Sequence, residues 1–130
     1  MTSKVMISIV DDDGSVREAT MSLMKALGYN SEAFASAEEF LASARRYDTS
    51  FLIADVQMPG MSGLELHRQM ASSDNPVPTV LITAHADDCT RESALKAGVV
   101  GFLAKPFAEE DLLGCIKSAL EGQKRNETNL

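Results

Sequence analysis

Four separated points of the chain carry side chains suited to handling a phosphoryl group. The stretch "FLIADVQMPGMSG" runs apolar from Phe51 and ends on one acid, Asp55, before a Pro-Gly turn. "ISIV" is followed by three acids, Asp11, Asp12 and Asp13. "VLIT" ends on a hydroxyl, Thr83, and "GFLAK" on an ammonium, Lys105. Nothing about ending a buried strand calls for a charge, so the acid at 55 asks for a use. Carboxylates brought within about 4–5 Å repel by roughly 3–4 kcal/mol at an effective dielectric near 20. Lys105 offsets part of this. The rest suits a hard divalent cation, because an oxygen-only ligand set without clustered His or Cys favours Mg2+, with Mn2+ as a substitute. A carboxylate beside Mg2+ can attack phosphorus and form an aspartyl phosphate, with Thr83 and Lys105 holding the phosphoryl oxygens. Asp13 also has a plainer use, as the cap of a helix starting near Gly14.

These groups can meet only if the chain is ordered to bring them together. Apolar runs at 5–10, 51–54, 80–83 and 99–103, with a weaker one near 31–35, read as strands. Helical patterns lie between them. Val16, Ala19, Thr20, Leu23, Met24 and Leu27 mark one face and stop at Gly28. Ser36 with Glu39, and Ser62 with Glu65, have capping-box spacing. A fourth helix is expected over 88–97, ended by Gly98. A fifth begins near Ala108 and buries Leu112, Leu113, Ile116 and Leu120. Strand–helix repeated five times predicts an α/β domain, a parallel sheet covered on both faces. In such sheets the working site lies at the carboxyl ends of the strands, where all four motifs stand.

The bulk properties narrow the function. With 130 residues and 45% hydrophobic content, one domain with one core is expected. The net charge of −7 argues against holding nucleic acid or an anionic membrane surface directly. No leader or membrane-spanning run is expected, and Cys89 and Cys115, in no CxxC pair, read as reduced thiols of a cytoplasmic protein. The seven Met read as core filling. His67 is expected on a helix surface and His85 in a solvated loop. Residues 122–130, "GQKRNETNL", are polar and aperiodic, and read as a tail or the start of a linker after a domain over 1–121.

Taken together, Asp11-Asp12 after "ISIV", "DVQMPGMSG", "LITA" and "FLAKPF" resemble a receiver domain of two-component response regulators, over Val5 to about Leu120. "SAEEF", "MPGMSG" and "AKPF" are most similar to receivers that precede a LuxR-type helix-turn-helix output. The resemblance implies a doubly wound, flavodoxin-like (βα)5 fold. It implies that Asp55 is the phosphoacceptor, and that Mg2+ is held by Asp12 directly, Asp11 through water, Asp55, and the backbone carbonyl of Gln57. Thr83 would bond the phosphoryl group, Lys105 would pair with it, and Phe102 would be the switch aromatic. Pro106 stands where the family usually has a cis peptide bond.

The same resemblance implies that Gln57 and His85 would flank the path of the attacking water, at positions where the family varies. The partners implied are a sensor histidine kinase and, on phosphorylation, a second copy of the chain through helix 4, strand 5 and helix 5. Transcription is the implied output. A single-domain receiver, acting on another protein or in a phosphorelay, is the alternative. A true phosphatase would need a second acid two residues past the nucleophile, where Gln57 stands, so the chain is expected to catalyse only its own phosphorylation and dephosphorylation. A receiver-like module that no longer uses phosphate ranks last, since every required residue is present.

Overall fold

The computed structural model describes residues 5–73 and 76–128, with side chains through Leu120. Five strands, β1 (Met6–Val10), β2 (Asn30–Phe34), β3 (Phe51–Asp55), β4 (Thr79–Thr83) and β5 (Gly101–Ala104), form one parallel sheet in the order β2-β1-β3-β4-β5. Between and after them run α1 (Gly14–Ala26), α2 (Ala37–Ala42), α3 (Gly63–Ala71), α4 (Asp88–Ala97) and α5 (Glu109–Thr128). The order reverses at β1, so the crossovers place helices on both faces.

Alternation along each strand divides the core. Ile7, Ile9, Phe51, Ile53, Val80 and Ile82 point to one face and meet Met24 of α1 and Leu112 and Ile116 of α5. Val10, Leu52, Ala54 and Leu81 point to the other and meet Phe40 of α2, Leu66 and Met70 of α3 and Ala94 of α4. Burial on both faces is why β3 and β4 read as unbroken apolar runs.

Several expectations shift. β5 starts at Gly101 rather than Val99, because Val99 still closes α4: its N–H reaches back to the Ala94 carbonyl at 3.3 Å, beyond the left-handed Gly98. Ala19 is exposed despite lying on the apolar stripe of α1. A 3-10 turn, Ala44–Tyr47, follows α2 and was not anticipated. The backbone of 122–128 is helical and continues α5. Residues 129–130 lie outside the described residues.

His67 is the clearest correction. It is buried, 5% exposed, and its Nε2 donates to the Ala97 carbonyl at 2.8 Å. The face that α3 buries is Gly63, Leu66, His67 and Met70. His67 therefore sits in the helical stripe, and it tethers α3 to the carboxyl end of α4.

Gly63 opens α3 directly against β3. A Cβ there would collide with the backbone carbonyl of Asp55 and lie 3.2 Å from Leu81 Cδ2. Gly63→Ala should destabilise the domain by about 1–3 kcal/mol, the usual cost of overpacking. Urea unfolding checks this; a midpoint equal to wild type would show that the helix start shifts freely.

Candidate functional site

The parallel register sets which strand ends align. Val10 pairs with Ala54, Asp55 with Ile82, and Thr83 with Ala104. Asp11, Asp55, Thr83 and Lys105 thus come to one edge of the sheet, from four strands. Two backbone bonds tighten the edge: Val56 N–H donates to Ile82 O at 2.9 Å, and Lys105 N–H to Thr83 O at 2.8 Å.

Asp11, Asp12 and Asp55 each offer a carboxylate oxygen, and the three oxygens lie within 4.8 Å of one another. Asp11 and Asp55 are buried, while Asp12 is exposed. Lys105 Nζ lies 3.1 Å from Asp11 Oδ2 and 3.7 Å from Asp55 Oδ2. One ammonium therefore faces two carboxylates, and negative charge remains in excess. Burial pushes the Asp55 carboxyl above its usual range; Asp11 adds to the shift and Lys105 opposes it. Three oxygen donors, one of them open to solvent, fit a hard cation that keeps part of its water shell.

The surroundings hold the acids in place. Asp11 Oδ1 accepts from Asp13 N at 2.9 Å, and the Asp11 carbonyl accepts from Arg17 Nη1 at 2.7 Å. Asp13 caps α1 through Ser15 N, 3.0 Å, and Ser15 Oγ, 2.7 Å, which hold its carboxyl below the usual range. It stands apart from the oxygen cluster, as its plainer use implied.

Thr83 is fully buried, and its Oγ1 accepts from His85 N at 3.0 Å. The hydroxyl proton remains available to a ligand at the edge. His85 and Gln57 are exposed beside the site. Phe102 is turned inward, 8% exposed, with the Arg91 guanidinium 5.4 Å from its ring centre. The Lys105–Pro106 bond is cis.

Asp11, Asp12, Asp55, Thr83 and Lys105 were legible in the sequence and come to one edge, while Asp13 is spent on capping α1. Arg17 and the seat of Arg91 over Phe102 carry no signal in the sequence, and the buried His67 was expected on the helix surface. For Arg17 and Arg91 no local pattern carries the signal, because their partners are a backbone carbonyl and a ring on other elements.

Comparison with known proteins identifies the family and the fold. The sequence profile described as "Response regulator receiver domain" matches residues 7–117. The chain is 42% identical over 124 residues to the response regulator protein TodT of Pseudomonas putida, covering 95% of this chain and 55% of that one. It is 34% identical over 120 residues to the transcriptional regulatory protein FixJ of Bradyrhizobium diazoefficiens, covering 92% and 58%. Among solved structures, the response regulator StyR superposes with a TM-score of 0.83 at 39% identity, covering 97% of this chain and 66% of that one. The chain spans about half the length of these curated relatives.

A raised carboxyl in the fold means that the folded chain binds more protons than the unfolded one just above the usual carboxylate range. Stability then falls as pH rises through that window. Asp55→Asn removes the buried charge. At pH 7 without metal it should melt about 3–6 °C higher than wild type. That advantage should shrink as the pH is lowered into the carboxylate range, where Asp55 takes up a proton. Melting curves against pH check this, and an equal or lower melting temperature at pH 7 would mean that the Lys105 attraction outweighs burial.

Proposed function

The chain belongs to the response regulator receiver family, and from that premise we propose that Asp55 is its phosphoacceptor, working with Mg2+. The carrying observation is Asp55 itself: buried, raised by that burial, and within 4.8 Å of two further carboxylates. As a receiver, the chain is a signalling domain of a two-component system, and a sensor histidine kinase is the source of the phosphoryl group.

An Asp55 oxygen attacks phosphorus and forms the acyl phosphate, while the bond from phosphorus to the donor nitrogen, or to the oxygen of a small phosphodonor, breaks. Asp11, Asp12, Asp55 and the Gln57 carbonyl would hold Mg2+, which would supply positive charge to the phosphoryl oxygens. Lys105 pairs with the phosphoryl group and releases part of its hold on the Asp55 carboxylate. Thr83 donates its hydroxyl proton to a phosphoryl oxygen. The reaction needs the ionised carboxylate, the form that Lys105 and a bound divalent cation would both favour against the burial that raises its pKa. Nothing beyond self-phosphorylation and hydrolysis of that bond is assigned to the chain.

The modification adds roughly −1.5 to −2 charge where charge already crowds. Thr83 links that change to α4 through the His85 N–H, and β5 links it to Phe102. The readout surface we assign is α4, β5 and α5. It carries acids (Asp87, Asp88, Glu92, Asp111) with bases (Arg91, Lys96, Lys117), and exposes Leu95 and Val100. A two-fold contact presents the same patch from both copies, so mixed charge makes it self-complementary. By likeness to the transcriptional regulator FixJ, the output is control of transcription through a DNA-binding segment apart from this acidic domain. Among the described residues no helix is long and apolar enough to cross a membrane.

Acetyl phosphate with Mg2+ should add one phosphoryl group to the wild type and none to Asp55→Asn, read by intact mass; equal labelling would remove Asp55 from the role. Beryllofluoride with Mg2+ should shift sedimentation from monomer toward dimer. A mass that stays monomeric at high concentration would assign the surface to a different partner.

A further inference from the structure

We propose that Glu38 of α2 is a positioning residue for the phosphoacceptor loop. Its carboxylate clamps the turn between β3 and α3, and so holds the Gln57 carbonyl where a divalent cation would meet it. The proposal rests on the phosphoacceptor reading above and adds a residue that no site motif contains.

The turn runs from Val56 to Ser62, and most of its anchors are local or belong to the sheet. Val56 N–H donates to β4, Gly63 N–H returns to the Val56 carbonyl at 3.1 Å, and Ser62 N–H donates to its capping partner Glu65 at 3.0 Å. The Met61 N–H is different. It donates to Glu38 Oε2 at 3.0 Å, across 23 residues of sequence and from a separate helix.

Gly60 supplies the independent observation. A Cβ there would lie 2.7 Å from Glu38 Oε2 and 3.4 Å from its Cδ, so the carboxylate fills the space that a side chain at 60 would take. The same glycine has φ 79°, a left-handed turn that brings the Met61 N–H round to face α2. Below the turn, Met58 is buried and Met61 packs on the same core cluster as Phe40 of α2. The loop is thus pinned between an apolar contact on one side and a carboxylate on the other.

Glu38 is free for this task because its neighbour does the local work. Glu39 accepts from Ala35 N at 2.9 Å and its own N–H donates to Ser36 Oγ at 3.0 Å, which satisfies the start of α2. Loops that carry a metal-binding carbonyl depend on such outer contacts to hold the ligand's direction.

Wild type, Glu38→Ala, Glu38→Gln, Gly60→Ala and the Glu38→Ala/Gly60→Ala pair separate the possibilities. The readouts are amide exchange at Met61, Mg2+ affinity by calorimetry, and acetyl phosphate labelling at low and saturating Mg2+. Glu38→Ala should speed Met61 exchange and weaken Mg2+ binding about three- to tenfold, below the 10–100-fold typical of groups bonded directly to a ligand. Labelling should recover at saturating Mg2+. Glu38→Gln keeps an acceptor without the charge and should stay within about twofold of wild type, which separates the clamp from simple electrostatic attraction. Gly60→Ala should cost less Mg2+ affinity in the Glu38→Ala background than alone. Unchanged Met61 exchange in Glu38→Ala overturns the clamp. Faster exchange with unchanged Mg2+ affinity overturns its link to the cation. A wild type that binds no Mg2+ overturns the site reading and this proposal together, whereas normal wild-type binding with Glu38→Ala equal to it overturns this proposal alone.

Discussion

Like charge crowded at the carboxyl edge of a parallel sheet is the constraint on which the rest of this molecule depends. Asp11 and Asp55 are buried, Asp12 joins them, and only Lys105 stands opposite among the described residues within ion-pair reach. Two carboxylates sharing one ammonium leave a site with unmet demand for positive charge. Such an arrangement costs stability in the metal-free chain, and on the proposed reading a cation and a phosphoryl group would meet it. Strain of this kind belongs where function is done.

The fold's task is to hold that unfavourable arrangement still. Apolar side chains on both faces of β1, β3 and β4 fix the register, and a slip of one residue would exchange the two faces of the core. The charged residues ride on the ends of these strands. Their spacing therefore follows from the packing of Ile9, Ile53, Ile82 and their neighbours, not from the charges themselves. The connecting segments finish the work with single bonds: Arg17 to the Asp11 carbonyl, Lys105 N–H to Thr83 O, Glu38 to the Met61 N–H.

What the sequence disclosed follows the same division. Strand existence, strand direction and the convergence of Asp11, Asp55, Thr83 and Lys105 were legible because period-2 burial and strand-end position are local patterns. The Ser62–Glu65 capping box was legible and is fully formed, whereas Ser36–Glu39 forms only half, since Glu39 bonds Ala35 N–H instead of its cap. His67 was misjudged although it stands four residues after Gly63 and one after Leu66 in a helical stripe; polarity outweighed periodicity in that reading. The start of β5 was misplaced because Val99 and Val100 have strand-forming side chains, while the bond from Val99 N–H to Ala94 O belongs to the helix end. Glu38 and Arg91 act on partners that no spacing along the chain can reveal.

The helices beside the site differ sharply in how firmly they are held. α3 buries four residues along its length, but α4 buries only Ala94 among ten. Little apolar area therefore resists its displacement. Its ties are few and specific: the Ala97 carbonyl to His67, Arg91 over Phe102, and the lead-in through His85 N–H on Thr83. The site touches one of them directly, because Thr83 Oγ1 at the end of β4 accepts from the His85 N–H. Population shift requires an element with two arrangements of similar energy and a ligand that distinguishes them. A lightly buried helix, tied to Thr83 through His85 at one end and to a buried histidine at the other, is the element whose contacts a change at the site reaches first.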